Sequence, residues 1–177
     1  MQVTTSHAFG PHAVQREFDR RMPLHRETRI VPYTAEQMFA VVAAVENYPE
    51  FLPWCSKVVV HKRDRDGETE YVTAEMFVSY LGFRESYVSR VELNAPALTI
   101  EAKHVKGPFK KLDTRWRFVR LPRGAEVHFL IDFQFSNPVL QAVAGAGFGI
   151  VAARMQQAFI SRADSLYGET QIASSNS

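Results

Sequence analysis

Few residues in this chain are equipped for chemistry, and their spacing limits what they can do. Six histidines, His7, His12, His25, His61, His104 and His128, are scattered along 177 residues at intervals that do not form a metal-ligand set. Each reads as a surface or strand-face histidine. The single cysteine, Cys55, carries no local signature of a nucleophile. One cysteine also excludes an internal disulfide and a cysteine-rich zinc site, and it suits a reducing compartment. Gly145, Gly147 and Gly149 look superficially like a phosphate-cradling loop. They fall in mid-helix, however, not between a strand end and a helix start, so a dinucleotide fingerprint is not expected. Each glycine there costs about 1 kcal/mol against alanine. Close helix-on-sheet packing is the favoured reason for them, and close approach of a ligand is the alternative.

Two further groups invite a binding role. Glu85 and Ser89 share a strand face with Phe83, Tyr87 and Val91. If that face is the inner one, Glu85 is a costly polar group in an apolar space, and Tyr87 or Ser89 can donate to a ligand carbonyl. In the opposite register the same face is wet. The stretch Lys106-Gly107-Pro108-Phe109-Lys110-Lys111 is basic with an aromatic tip. It suits anionic lipid headgroups, ribosomal RNA or plain solvent. No set of acid, base and nucleophile emerges.

The elements that must position these residues are legible from periodicity. Leu24 to Val31 alternates as a strand, and Pro32 breaks it. Thr34 with Gln37 forms a capping box for a helix whose apolar face is Met38, Val41, Val42 and Val45. Pro49 and Pro53 restrict the next stretch to one turn of helix and a loop. There Phe51, Leu52 and Trp54 either plug the core or line a cavity mouth. Six strands follow: Lys57 to Arg63, Thr69 to Ser79, Phe83 to Leu93, Leu98 to Val105, Leu112 to Arg120, and a last one from Val127 to Phe135. Turns at Asp64–Gly67, Leu81–Gly82, Asn94–Pro96, Gly107–Pro108 and Leu121–Gly124 separate them. The last strand alternates most clearly, with Leu130 its one exception. Asn137 and Pro138 then open a helix expected to end at Gly168, with Leu140, Ala144, Phe148, Val151, Met155, Phe159 and Leu166 along one face. Short turns make the sheet antiparallel, with one covered face and one wet face. A strongly twisted sheet around one helix does not close fully, which leaves room for a ligand cavity.

This order resembles a known family. The resemblance is carried by Tyr48-Pro49-Glu50-Phe51-Leu52-Pro53-Trp54-Cys55, by Gly107-Pro108-Phe109-Lys110-Lys111-Leu112, by Trp116 and Phe118, and by Phe133 and Phe135. It is to the coenzyme-Q-binding branch of the START-like, polyketide-cyclase-like superfamily, and the bacterial ribosome-association toxin is similar over the same segments. It spans about Met22 to Tyr167. It implies an α+β helix-grip fold, with a curved, seven-stranded antiparallel sheet around a long C-terminal helix in the order β-α-α-β6-α. It also implies a hydrophobic tunnel that binds ubiquinone or another polyprenyl lipid.

Residues 1–22 are expected as a flexible tail, 23–168 as the lipid-binding domain and 169–177 as a disordered tail. The residues expected to line the tunnel are Met38, Val42, Phe51, Leu52, Trp54, Met76, Tyr80, Tyr87, Phe109, Leu112, Trp116, Phe133, Phe135, Phe148, Val151, Met155 and Phe159. Lys106, Lys110 and Lys111 are expected to meet a membrane or a ribosome. The function expected is non-enzymatic carriage of ubiquinone or a prenyl lipid in respiration or quinone synthesis, with no required cofactor. A ribosome large-subunit regulator and a polyketide cyclase or aromatase are the alternatives. A net charge of +2 gives no argument for DNA. No stretch reaches about 18 unbroken apolar residues, so a cytoplasmic protein is expected, with peripheral contact at the inner membrane as an option.

Overall fold

Alternating polarity becomes strand, and 3.6-residue periodicity becomes helix, along almost the whole chain. The computed structural model describes the backbone of residues 24–80 and 82–174, and their side chains except at residues 80, 83, 143–146, 148 and 169–174. The elements are β1 (Leu24–Val31), α1 (Ala35–Ala43), a 3₁₀ turn (Val45–Asn47), α2 (Tyr48–Phe51), β2 (Cys55–Asp66), β3 (Thr69–Tyr80), β4 (Phe83–Asn94), β5 (Thr99–Lys106), β6 (Phe109–Arg120), β7 (Ala125–Phe135) and α3 (Pro138–Ser174). The seven strands form one sheet in the order β1-β7-β6-β5-β4-β3-β2, antiparallel throughout. This is the helix-grip arrangement of the α+β class, with α3 laid across the inner face of the curved sheet.

Local chemistry accounts for the boundaries. The Thr34 hydroxyl accepts from the Gln37 backbone N–H at 3.1 Å, and the Gln37 side chain accepts from the Thr34 N–H at 2.9 Å, closing the capping box of α1. Met38, Val41 and Val42 are buried at helical spacing behind it. The β2–β3 hairpin is tighter than expected. Asp66 pairs with Thr69, so only Gly67 and Glu68 turn. β6 starts at Phe109, three residues before the expected Leu112, and a bulge between Phe109 and Lys111 sends Lys110 outward.

The terminal helix departs most from expectation. It runs through Gly168 to Ser174, so residues 169–174 are helical and not a disordered tail. Gly168 is not in the left-handed conformation a cap requires. No proline follows it, and a helix tolerates a lone glycine at a cost of about 1 kcal/mol. The expected tail over residues 1–22, and residues 175–177, lie outside the described residues. The buried stripe of α3 is Ala152, Gln156, Phe159 and Ala163. It is rotated from the expected stripe, so Leu166 is left 49% exposed. Neither Gly147 nor Gly149 serves close packing, because a Cβ at either position would meet nothing within 4 Å.

The sheet is not apolar over its whole inner face. On β1 the covered positions are His25, Glu27 and Arg29, while Leu24 and Ile30 point to solvent. Glu27 accepts from Arg29 Nε at 2.6 Å and lies 3.3 Å from His25 Nε2. The fully buried Gln156 of α3 faces it. With its amide oriented by the hydrogen-bond pattern, Gln156 donates to both Glu27 oxygens at 3.0 Å. Arg29 also donates to Gln157 at 3.1 Å. The Tyr33 hydroxyl donates to Asp164, and Arg162 donates to Glu50 at 2.5 Å. The helix is therefore seated by polar contacts on β1, on Tyr33 ahead of α1 and on α2, and on β7 by apolar ones.

Gly124 turns β6 into β7 at φ +86, where a Cβ would collide with the Val31 carbonyl oxygen. Gly67 is also left-handed, at φ +58, but faces open space. Gly67→Ala should lower unfolding free energy by about 1–2 kcal/mol through the left-handed penalty alone. Gly124→Ala should cost more, because the collision adds to that penalty. Equal losses in urea titrations of the two variants would contradict this account.

Candidate functional site

The inner face of the sheet carries a band of short side chains. Ala74 on β3 pairs with Ser89 on β4, and Ala102 on β5 pairs with Thr114 on β6. Val91 pairs with Ala102, joining the two pairs diagonally across four strands. Long side chains rise around this band: Tyr87, Leu112, Trp116 and Met76 from the sheet, Tyr48 and Leu52 from the α2 region, Met155 and Phe159 from α3. Because α3 packs mainly on β1, β7, α1 and α2, the helix does not descend onto the band. The result is a hollow of about 100 Å³, lined by Val42, Val45, Tyr48, Leu52, Trp54, Ala74, Met76, Tyr87, Ser89, Val91, Ile100, Ala102, Leu112, Thr114, Trp116, Ile131, Met155 and Phe159.

The hollow is narrower than the expected tunnel, and aromatic bodies are the reason. Phe159 stands 5.1 Å from Tyr48, 5.2 Å from Phe51 and 5.1 Å from Trp116, ring centre to ring centre. An apolar cavity of roughly 150 Å³ is enough to take up benzene. The space here is of that order and smaller.

Of the expected lining residues, the hollow brings together Val42, Leu52, Trp54, Met76, Tyr87, Leu112, Trp116, Met155 and Phe159. Six others sit elsewhere. Met38 is wholly buried in the core behind α1, and Phe133 is buried beside Phe109 and Phe135. Phe51 packs beside Phe159, with the Arg162 guanidinium over its other side. Val151 is half-buried on α3, off the lining. Phe109 and Phe135 stack on each other at 4.6 Å, and Phe109 stands edge-on to Tyr87 at 5.4 Å. Phe109 is thus turned inward, not held at the tip of a loop. A Cβ on Gly107 would come within 2.6 Å of Tyr87 Cβ, so glycine lets the loop lie against β4. The side chains of Tyr80 and Phe148 lie outside the described ones.

Eight lining residues were not expected: Val45, Tyr48, Ala74, Val91, Ile100, Ala102, Thr114 and Ile131. The available signal was the run of short residues at inward positions of neighbouring strands. It becomes a signal only once the register aligns them.

The register puts Tyr87, Ser89 and Val91 on the inner face, while Glu85 is exposed. The polar groups of the lining residues are the hydroxyls of Tyr48, Tyr87, Ser89 and Thr114 and the indole N–H groups of Trp54 and Trp116. Tyr48 donates to the Val42 carbonyl at 2.5 Å, satisfying a free carbonyl at the end of α1. Tyr87 donates only to the Met76 thioether, at 3.0 Å. Burial pushes both phenols well above their ordinary value, so both stay protonated. A group held protonated cannot serve as a general base. His104 Nε2 donates to the Phe109 carbonyl, 2.9 Å away, and its Nδ1 is buried without a partner among the described residues.

The basic loop is also sorted by the structure. Lys106 and Lys110 are exposed. Lys111 is not free to meet a partner, because it donates to Asp132 at 2.5 Å, a hydrogen bond that pushes its pKa up. Among the described residues no helix is long and apolar enough to cross a membrane, and no group of three His, Cys, Asp or Glu is placed to hold a metal ion.

Comparison with known proteins fits this geometry. The sequence profile described as polyketide cyclase / dehydrase and lipid transport matches residues 31–160. The chain is 37% identical over 147 residues to the ribosome association toxin RatA of Escherichia coli, covering 82% of this chain and 90% of that protein. It is 26% identical over 162 residues to the mitochondrial coenzyme Q-binding protein COQ10 of Drosophila melanogaster, covering 89% of this chain and 65% of that protein. The solution structure of an 18 kDa protein from Caulobacter crescentus superposes with a TM-score of 0.71 at 33% identity, covering 83% of this chain and 99% of that one.

Cys55, next in the chain after Trp54 of the lining, is 3% exposed, and burial pushes its thiol up. It should therefore resist an aromatic disulfide reagent in the native protein at mildly alkaline pH and react at once in guanidinium. Rapid labelling of the native thiol would show the α2 region to be open.

Proposed function

This chain belongs to the polyketide cyclase / dehydrase and lipid transport family, and within it we propose that the protein is a non-catalytic binder of ubiquinone or a related polyprenyl lipid. One observation carries the reading: an apolar hollow between the inner sheet face and α3, walled by Trp116, Phe159, Leu112 and Met155. The similarity to a coenzyme Q-binding protein supports it. Each buried methylene contributes about 0.8 kcal/mol, so one isoprene unit supplies roughly 4 kcal/mol before ordering costs. The hollow takes about one such unit. A longer tail requires α3 to shift from the β3–β5 side, where few contacts hold it. No cofactor enters this reading, which puts the protein in the cytoplasm with peripheral contact at the inner membrane as an option.

Ribosome association is the second reading, favoured by the 37% identity to RatA. Lys106 and Lys110 are then the contact candidates, without Lys111. Cyclisation of a polyketide ranks last, because the lining offers hydroxyls held protonated and no base.

The test is organic extraction of the purified protein followed by mass spectrometry, on the wild type and on Ala102→Leu, which fills the band. The wild type should release a quinone or prenyl lipid, and the variant should release little while keeping its circular dichroism. A wild type that carries no such lipid, takes up no added short-chain quinone, and instead sediments with the large ribosomal subunit in low salt would replace this reading with the second.

A further inference from the structure

The wall of the hollow has a polar side that the apolar reading does not use. Ser89 is only 8% exposed and lines the hollow on β4. Its hydroxyl has no hydrogen-bond partner among the described residues, and the same holds for the Thr114 hydroxyl on β6. Tyr87, two residues before Ser89 on the same face, spends its proton on a thioether, which is a weak acceptor. A hydroxyl that faces a hollow without a good protein partner is open to a ligand or a water. Three hydroxyls thus stand on an otherwise apolar sheet wall, facing Met155 and Phe159 of α3.

We infer that Ser89 and Tyr87 form a donor pair for a carbonyl oxygen on the ring of the bound lipid, so that the protein prefers a quinone to a hydrocarbon of the same shape. The inference rests on the lipid-binding reading above. Its sense follows from the proton inventory. A carbonyl oxygen only accepts, through two lone pairs, so it can take the Ser89 proton and the Tyr87 proton together. A hydrocarbon of the same shape leaves both protons without an acceptor. The Tyr48 hydroxyl is already committed to Val42, and Glu85 lies outside. The burial that raises the Tyr87 phenol keeps it a donor at any working pH. Ala74, beside Ser89 on the sheet, keeps its hydroxyl open to the hollow, and a ring larger than benzene enters once α3 shifts from the β3–β5 side.

The test is titration calorimetry with two probes: a ubiquinone carrying a short prenyl tail and a prenylated benzene without oxygens. The wild type should bind the quinone about tenfold more tightly than the hydrocarbon, the worth of a well-made hydrogen bond. Ser89→Ala and Tyr87→Phe should each erode that preference, and the double variant should erase it, the preference being read against the hydrocarbon affinity of the same variant. Neither substitution adds bulk, and thermal denaturation checks that the variants fold. Equal wild-type affinity for quinone and hydrocarbon overturns the donor pair and leaves lipid binding intact, as does a preference that survives the double variant. Failure of both probes to bind removes lipid binding itself, and the donor pair with it.

Discussion

Phe159 is held on three sides by Tyr48, Phe51 and Trp116, and the height of the terminal helix above the sheet follows from that contact. The ring is 2% exposed, and its neighbours meet it near perpendicular, at 81°, 76° and 65°. Edge-to-face aromatic pairs contribute about 0.5–1.5 kcal/mol each beyond the area they bury. Ala163 and Ala152, on the same stripe, let the helix come close on the β1–β7 side. Across the helix, the sheet beneath it carries the short side chains Ala74, Ser89 and Ala102, with Met76 and Tyr87 rising at their margin. The helix is pinned along one margin and spans a gap along the other.

An unfilled space in a protein is not free. At about 24 cal/mol per Å³, a cavity of this size costs roughly 2 kcal/mol. The chain retains it because closing the gap would lift Phe159 from its three partners and would strip Glu27 of Gln156. Glu27 and Gln156 meet in a covered seam, where a polar group left alone is more costly than a small void. Polar contacts at β1 and aromatic contacts at α2 thus fix two lines of the helix, and a rigid rod held on two lines cannot also settle onto a third. The hollow is a consequence of how the helix is held.

The loops at the rim obey the same economy of space. Gly107 lets the β5–β6 connection lie against Tyr87, the bulge at Lys110 turns Phe109 inward, and Lys111 folds back to Asp132. A stretch that reads as an exposed basic loop with an aromatic tip becomes a stopper whose aromatic side faces the protein. Two of its three cations remain on the surface.

The sequence by itself determined the elements and their order, because backbone periodicity and caps are local. Thr34 with Gln37, the prolines at 49 and 53, and the alternation of Val127, Phe129, Ile131 and Phe133 required no knowledge of distant residues. It also determined that one sheet face is covered and that a long helix covers it. Other features were beyond it. The stop at Gly168 failed because a glycine permits a cap without compelling one. The role of the mid-helix glycines failed because packing is a property of the opposite surface. Which of the many inward apolar residues pack solidly and which face a gap is decided by cross-strand register and by where the helix is pinned. Both bring together residues far apart in the chain, such as Ala74 with Ser89, Ala102 with Thr114, and Phe159 with Tyr48. The hollow lies where short side chains on four strands coincide under an unsupported stretch of helix, and only the tertiary structure makes them coincide.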